Sequence, residues 1–127
     1  MIQTVQTDQA PAPVGPYSQA VVAQGKTLYL AGQIPLNPAS GAIESEDAAE
    51  QTRQCLRNIG AILKAAGGDY GSLAKVTVYT TDIGEFAAIN RAYAEFFAAG
   101  RYPARVVVEV SALPRSARVE IEAVACL

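Results

Sequence analysis

The sequence has 127 residues, the length of one compact domain, and we expect a single domain over residues 1–127. Hydrophobic residues make up 50% of it and charged residues only 17%, which is apolar for a small monomer and predicts that part of the surface forms a subunit interface. The formal net charge is −2 and there is no basic run, so neither composition nor charge indicates a nucleic-acid-binding surface.

Histidine is absent, which excludes every mechanism that needs an imidazole as base, proton shuttle or metal ligand. The two cysteines, Cys55 and Cys126, are far apart and have no imidazole to complete a metal site, so we expect no metal and no cofactor. The start of the chain has neither the basic segment nor the apolar segment of a signal peptide, and no stretch is long enough to span a membrane. We therefore expect a cytoplasmic protein that does not act on membranes.

The first part of the chain predicts a loop followed by two strands. Residues 10–17 are too rich in proline and glycine for a regular element, and a further short strand is predicted before them, near residues 2–6. Residues 19–23 and 27–31 alternate as strands do, and Gln24-Gly25-Lys26 between them predicts a hairpin turn. Residues 37–41 predict a further turn.

Two amphipathic helices are predicted. Residues 47–66 place apolar side chains at helical spacing, with Ser45 or Asp47 as the N-terminal cap and Gly67-Gly68 as the end. Residues 85–98 form the second helix, and its apolar stripe includes Tyr93. Since each helix is apolar on one side only, we expect both to cover one face of a single sheet.

Three strands complete the predicted elements, at residues 73–80, at 105–110 and near 118–125. Side chains alternate along a strand, so Arg105 shares one face with Val107, and Glu120 lies opposite to Val119. Arg105 is either a solvated or ion-paired arginine on an edge strand, or a clamp for a ligand carboxylate or phosphate. A simple hairpin between the last two strands would bring Arg105 and Glu120 together as an ordinary cross-strand ion pair, and periodicity alone does not separate that pair from a functional site.

Ordered motifs along nearly the whole chain resemble the reactive intermediate deaminase (Rid, or YjgF-like) family, formerly described as the L-PSP endoribonuclease family. The motifs are Gly15-Pro16-Tyr17-Ser18-Gln19, Gly32-Gln33-Ile34-Pro35, Val78-Tyr79-Thr80-Thr81-Asp82, Asn90, Tyr93, Phe96-Phe97, Pro103-Ala104-Arg105, Leu113-Pro114 and Val119-Glu120-Ile121-Glu122-Ala123. The resemblance implies an α+β, chorismate-mutase-like subunit, with one mixed β-sheet and two helices on one face. It also implies a homotrimer with sites between subunits, and a last strand that is inserted between earlier ones.

The resemblance further implies hydrolytic deamination of reactive 2-imino acids, of the 2-iminopropanoate and 2-iminobutanoate class, to 2-oxo acids and ammonia. In that scheme Arg105 holds the substrate carboxylate, Glu120 positions water, Tyr17 closes the cleft and Asn90 lines the pocket. This chain departs from the common family pattern at Val107, where many members have cysteine.

A second departure is at Ala31, where many members have serine or threonine. Together the two make the pocket more apolar and leave the substrate preference open. Two alternatives remain: an endoribonuclease of the L-PSP type, which the acidic composition and the absence of histidine disfavour, and a non-catalytic, holdase-like trimer that binds small carboxylates.

Overall fold

The computed structural model describes all 127 residues and contains two α-helices and eight strands. The helices are α1 (Ala48–Ala65) and α2 (Phe86–Ala94). The strands are β1 (Ile2–Val5), β2 (Ala20–Ala23), β3 (Thr27–Gln33), β4 (Leu36–Asn37), β5 (Ala42–Ile43), β6 (Leu73–Thr80), β7 (Ala104–Glu109) and β8 (Val119–Cys126). Short 3₁₀ helices lie at Tyr70–Ser72, Ile83–Glu85 and Pro114–Ser116.

The main sheet has four strands in the order β3-β8-β6-β7. β8 runs antiparallel to both of its neighbours, whereas β6 and β7 are parallel and are joined through α2. The expected insertion of the last strand is confirmed, because β8 lies between β3 and β6. The predicted hairpin of the last two strands is wrong, because β6 separates β7 from β8.

The predicted hairpin around Gln24-Gly25-Lys26 is also wrong, although both of its strands form. β2 pairs with β1 in a separate two-stranded sheet, and β3 pairs with β8 in the main sheet. Lys26 and Leu127 exchange two backbone hydrogen bonds of 2.8 Å. The C-terminal strand β8 therefore lies beside β3, where β2 would lie in a hairpin. Gly25 has a φ of 135°, and any Cβ there would collide with the carbonyl of Leu127. The expectation of one sheet is thus too simple, since the ribbons β1-β2 and β4-β5 stand apart from the mixed sheet.

Helix α1 has the predicted bounds for the predicted reasons. The Asp47 carboxylate accepts a 2.9 Å hydrogen bond from the backbone N–H of Glu50, and Gly67 follows the end of the helix with a φ of 88°. The buried side of the helix carries Leu56, Ile59 and Leu63, which are fully covered. Helix α2 ends at Ala94, earlier than predicted, because the next residues close i→i+3 backbone hydrogen bonds that tighten the chain into turns.

Both helices lie on one face of the main sheet, as predicted. The core on this face includes Val76 and Val78 of β6, Val119 and Ile121 of β8, and the helical side chains of the two helices. The opposite face has no layer over it: Tyr29 is 79% exposed and Val106 43%. A sheet that leaves large apolar side chains uncovered on one face has an unpartnered surface in the single chain.

Candidate functional site

Arg105, the second residue of β7, lies on the helix-covered face of the sheet. Arg105 pairs in register with Val76 of β6, which is fully buried, and its own side chain is only 9% exposed. Arg105 makes no ion pair with any carboxylate of the chain. A buried guanidinium without a counter-ion is unusual, because charged side chains are rarely buried unless they are paired. The interpretation of Arg105 as a solvated or ion-paired strand residue is therefore wrong.

Two tyrosine rings contact the guanidinium instead of a carboxylate. The Cζ atom of Arg105 lies 4.7 Å from the ring centroid of Tyr93 and 5.7 Å from that of Tyr17. The negative face of an aromatic ring attracts the positive charge, but unlike a carboxylate it does not accept hydrogen bonds from the guanidinium N–H groups. The rings thus hold the charge and leave the hydrogen-bonding edge of the guanidinium without a partner.

All buried side-chain nitrogen and oxygen atoms that lack a hydrogen-bond partner belong to one cluster around Arg105. The four atoms are Nε and Nη1 of Arg105, Oδ1 of Asn90 and the hydroxyl of Tyr93. Asn90 and Tyr93 are three residues apart on α2 and therefore lie on the same side of the helix. Native proteins pair nearly all of their buried polar groups, so this concentration of free donors and acceptors is typical of a ligand site.

The loop before β2 covers this cluster and is firmly tied down. The Gln19 amide accepts a 2.7 Å hydrogen bond from the backbone N–H of Thr7 and donates one of 2.6 Å to the carbonyl of Pro11. Ser18 binds the segment that leads into β7, through its hydroxyl to the carbonyl of Tyr102 at 2.5 Å. A Cβ at Gly15 would lie 3.4 Å from both Arg105 Nη2 and Asn90 Nδ2, so the loop passes directly over the cluster.

Burial sets the protonation behaviour of the cluster. It lowers the pKa of Arg105, because the cation loses hydration, and the neighbouring Tyr93 and Tyr17 oppose this effect. Burial also raises the pKa of Tyr93, against the opposing effect of Arg105, so its hydroxyl keeps its proton and can donate it to a hydrogen bond.

Glu120 lies on the other face of the sheet. Glu120 pairs in register with Tyr79 of β6. Arg105 pairs with Val76 of the same strand, three residues earlier. Since an odd separation along a strand reverses the face, Arg105 and Glu120 point in opposite directions within one chain. The start of β8 is fixed by the buried amide of Gln51, which accepts hydrogen bonds of 2.8 Å and 3.2 Å from the backbone N–H groups of Arg118 and Val119.

The remaining predicted residues divide between the two faces. Val107 is half-buried and lies beside Arg105 against the core, whereas Ala31 is exposed on β3, at the bulge that interrupts its pairing with β8. A Cβ at Gly32, next to Ala31, would meet the Glu120 carboxylate, so the end of the Glu120 side chain lies against this part of β3. The single chain thus brings together Arg105, Tyr17, Asn90 and Val107 as one group. Ala31 and Glu120 form a second group elsewhere.

Tyr93 is the residue of this cluster whose role the sequence did not reveal. Its apolar spacing on α2 indicated a core position, and it is indeed fully buried against Phe97, with ring centroids 4.8 Å apart. Its contact with the Arg105 guanidinium becomes apparent only in the folded structure. No cluster of three or more cysteine, aspartate or glutamate side chains is suited to a metal ion, and neither helix has the length and apolar character needed to cross a membrane.

Comparison with known proteins identifies the family. The family model described as Endoribonuclease L-PSP matches residues 7–127. The chain belongs to this family, the Rid family. The RutC family protein y4sK of Sinorhizobium fredii is 51% identical over 127 residues, which are 100% of this chain and 99% of the relative. The human 2-iminobutanoate/2-iminopropanoate deaminase is 45% identical over 123 residues, covering 97% of this chain and 88% of that protein.

A solved structure confirms the α+β fold. The Rid family protein YyfA from Yersinia pestis superposes with a TM-score of 0.78 at 43% identity, covering 100% of both chains. The family resemblance carried by the sequence motifs is therefore confirmed, and the fold of this Rid chain matches that of a Rid family member over its whole length.

Proposed function

We propose that this Rid chain is a hydrolytic deaminase of small 2-imino acids, acting as a homotrimer with sites between subunits. The observation that carries the proposal is the buried Arg105 guanidinium, which has no acidic partner and keeps Nε and Nη1 free. A ligand carboxylate supplies both the missing charge and the missing acceptors. A planar guanidinium binds a carboxylate through two parallel hydrogen bonds, which also fixes its orientation.

The reaction needs little beyond this positioning. Water adds to the carbon of the C=N bond, and the C–N bond then breaks, so that a 2-imino acid and water give a 2-oxo acid and ammonia. An imine protonates readily near neutral pH and is then a good electrophile. Holding the carboxylate and presenting water from a fixed direction therefore account for most of the rate gain. Glu120 is the residue that we assign to orient the water and to carry its protons.

The opposite directions of Arg105 and Glu120 support a site shared by two subunits. One chain does not place both side chains at one ligand, so in the proposed trimer the Glu120 of each site comes from a neighbouring subunit. Val106 and Val108, which are 43% and 37% exposed on the open sheet face, provide apolar surface for packing against that subunit. The homotrimer, implied by the family resemblance, is thus part of the proposed mechanism.

The two departures from the common family pattern bear on the substrate. Val107 lies beside Arg105 and offers only methyl groups, and Ala31 carries no hydroxyl. We infer a preference for imines with short apolar side chains, since a polar substituent would find no side-chain partner at either position. The human relative is a 2-iminobutanoate/2-iminopropanoate deaminase, which agrees with this class.

The decisive assay generates the substrate in place. An amino-acid oxidase forms 2-iminopropanoate or 2-iminobutanoate, and loss of the imine is followed with and without the protein. We expect faster loss with the wild-type protein and no acceleration with Arg105→Met. No acceleration by the wild-type protein, with retained binding of 2-oxobutanoate, would instead favour the carboxylate-binding trimer without catalysis.

A further inference from the structure

The hydroxyl of Tyr93 is unlike that of Tyr70, a half-buried tyrosine of the same aromatic cluster. Tyr70 and Tyr93 both contact Phe97, with ring centroids 6.1 Å and 4.8 Å away. The Tyr70 hydroxyl donates a 2.7 Å hydrogen bond to the backbone carbonyl of Leu56, whereas the Tyr93 hydroxyl has no partner. The fold thus satisfies one tyrosine hydroxyl and leaves the other free.

An unpaired buried hydroxyl weakens a fold, because it loses water and gains no hydrogen bond in return. Phenylalanine at position 93 would fill the same space without this penalty. The hydroxyl of Tyr93 therefore has no hydrogen-bond partner within the chain, and a partner can only come from outside it.

The surroundings of the hydroxyl indicate what that partner is. The guanidinium of Arg105 lies 4.7 Å from the Tyr93 ring, and the amide oxygen of Asn90, one turn earlier on α2, is also free. The cluster has a net positive charge, and burial keeps the Tyr93 hydroxyl protonated as a donor. A small acid fits this set, because its carboxylate accepts from Arg105 and Tyr93 together.

The residues that cover the cluster belong to one short loop. Gly15 and Tyr17, both half-buried residues of the loop before β2, lie over Arg105. Of these two, the Tyr17 ring is held at its hydroxyl by a single 3.3 Å hydrogen bond from the backbone N–H of Val14. The Tyr17 ring is therefore the part of this cover that the fewest hydrogen bonds hold in place.

We propose that Tyr93 is a ligand-binding residue of this chain: its ring positions the Arg105 guanidinium, and its hydroxyl donates a hydrogen bond to the carboxylate of the bound acid. The inference rests on the proposed function, and it assigns a specific role to a residue that would otherwise belong to the core. It also explains why the chain keeps a polar atom at this buried position.

The test compares two single substitutions, Tyr93→Phe and Tyr70→Phe, each of which removes one tyrosine hydroxyl from the same aromatic cluster. The affinity for 2-oxobutanoate is measured by calorimetry, and thermal unfolding is followed without ligand. We expect Tyr93→Phe to bind about tenfold more weakly, with a melting temperature that is unchanged or higher, because a hydrogen bond to a charged acceptor is lost only in the complex. Tyr70→Phe should bind as the wild type does and melt at a lower temperature.

A third variant, Tyr93→Leu, removes the ring as well. It should bind more weakly than Tyr93→Phe, since the guanidinium then loses the surface that fixes its direction. Equal binding by the wild type and Tyr93→Phe overturns the inference and leaves the proposed function intact. A lower melting temperature for Tyr93→Phe, matching that of Tyr70→Phe, also overturns it, because the hydroxyl would then be structural. Failure of the wild type itself to bind 2-oxobutanoate refutes the proposed function and the inference together.

Discussion

Replacing Arg105 by methionine separates the contribution of the guanidinium to folding from its contribution to binding. Methionine has similar length and is apolar, so the substitution removes the charge and leaves no large cavity. In the wild-type chain, Nε and Nη1 of Arg105 are buried without partners, which costs about 1–3 kcal/mol for each group. The two tyrosine rings return about 0.5–2 kcal/mol each through their attraction for the cation.

These contributions are of similar size and opposite sign, so Arg105 adds little to the stability of the free protein. We expect Arg105→Met to change the free energy of unfolding by no more than about 1 kcal/mol, within the usual range for a single substitution. Binding should change far more. The loss of two charge-assisted hydrogen bonds, at about 1.5–3 kcal/mol each, predicts a decrease in affinity for a 2-oxo acid of at least a hundredfold.

The assay measures both quantities on the same preparations. Thermal unfolding without ligand reports stability, and calorimetry with 2-oxobutanoate together with the imine-loss assay reports function. Arg105→Lys serves as the matched control, because it keeps the charge but lacks the planar pair of donors, and it should also lose most activity. If Arg105→Met unfolds, the guanidinium is structural. If it retains full turnover, the carboxylate clamp is wrong.

Three further predictions concern the other half of the site and the assembly. Glu120→Gln keeps the shape of the side chain and removes its basic oxygen. Turnover of the imine should therefore fall strongly, while binding of 2-oxobutanoate, measured by calorimetry, should persist. Unchanged turnover would mean that Glu120 is only a solvated strand residue. Gly32→Ala puts a methyl group where the Glu120 carboxylate now lies. Because the flexible Glu120 side chain can move aside, the variant should fold and bind the oxo acid but hydrolyse the imine slowly. Turnover at the wild-type rate would show that the position of the carboxylate is unimportant. Val108→Glu places a charge on the open sheet face. Sedimentation should show a trimer for the wild type and smaller, inactive species for the variant. A wild-type monomer with full activity would contradict the shared site.

The amino-acid sequence by itself determined the elements whose causes are local. The cap at Asp47, the apolar spacing of Leu56, Ile59 and Leu63, and the glycines after residue 66 define α1, and the structure follows them closely. Alternation correctly assigned Glu120 to the face of β8 opposite to Val119, which is the buried one. The motifs around Tyr17, Arg105 and Glu120 were sufficient to indicate the Rid family.

Strand order could only be decided by the tertiary structure. Every strand offers the same backbone donors and acceptors, so alternation says which residues share a face but not which strand lies alongside. The hairpin predicted at Gln24-Gly25-Lys26 failed for this reason, because β1 and β8, distant in sequence, take the pairing positions.

The character of the site was also decided in three dimensions. Whether Arg105 is an ordinary ion pair or a binding residue depends on which acids come near it, and the structure brings two tyrosine rings and no carboxylate. The separation of Arg105 and Glu120 onto opposite faces follows from the register of both strands with β6, which no local pattern contains. The role proposed for Tyr93 could not be read from the sequence either, because its free hydroxyl and the Arg105 cation come from elements that meet only in the folded chain.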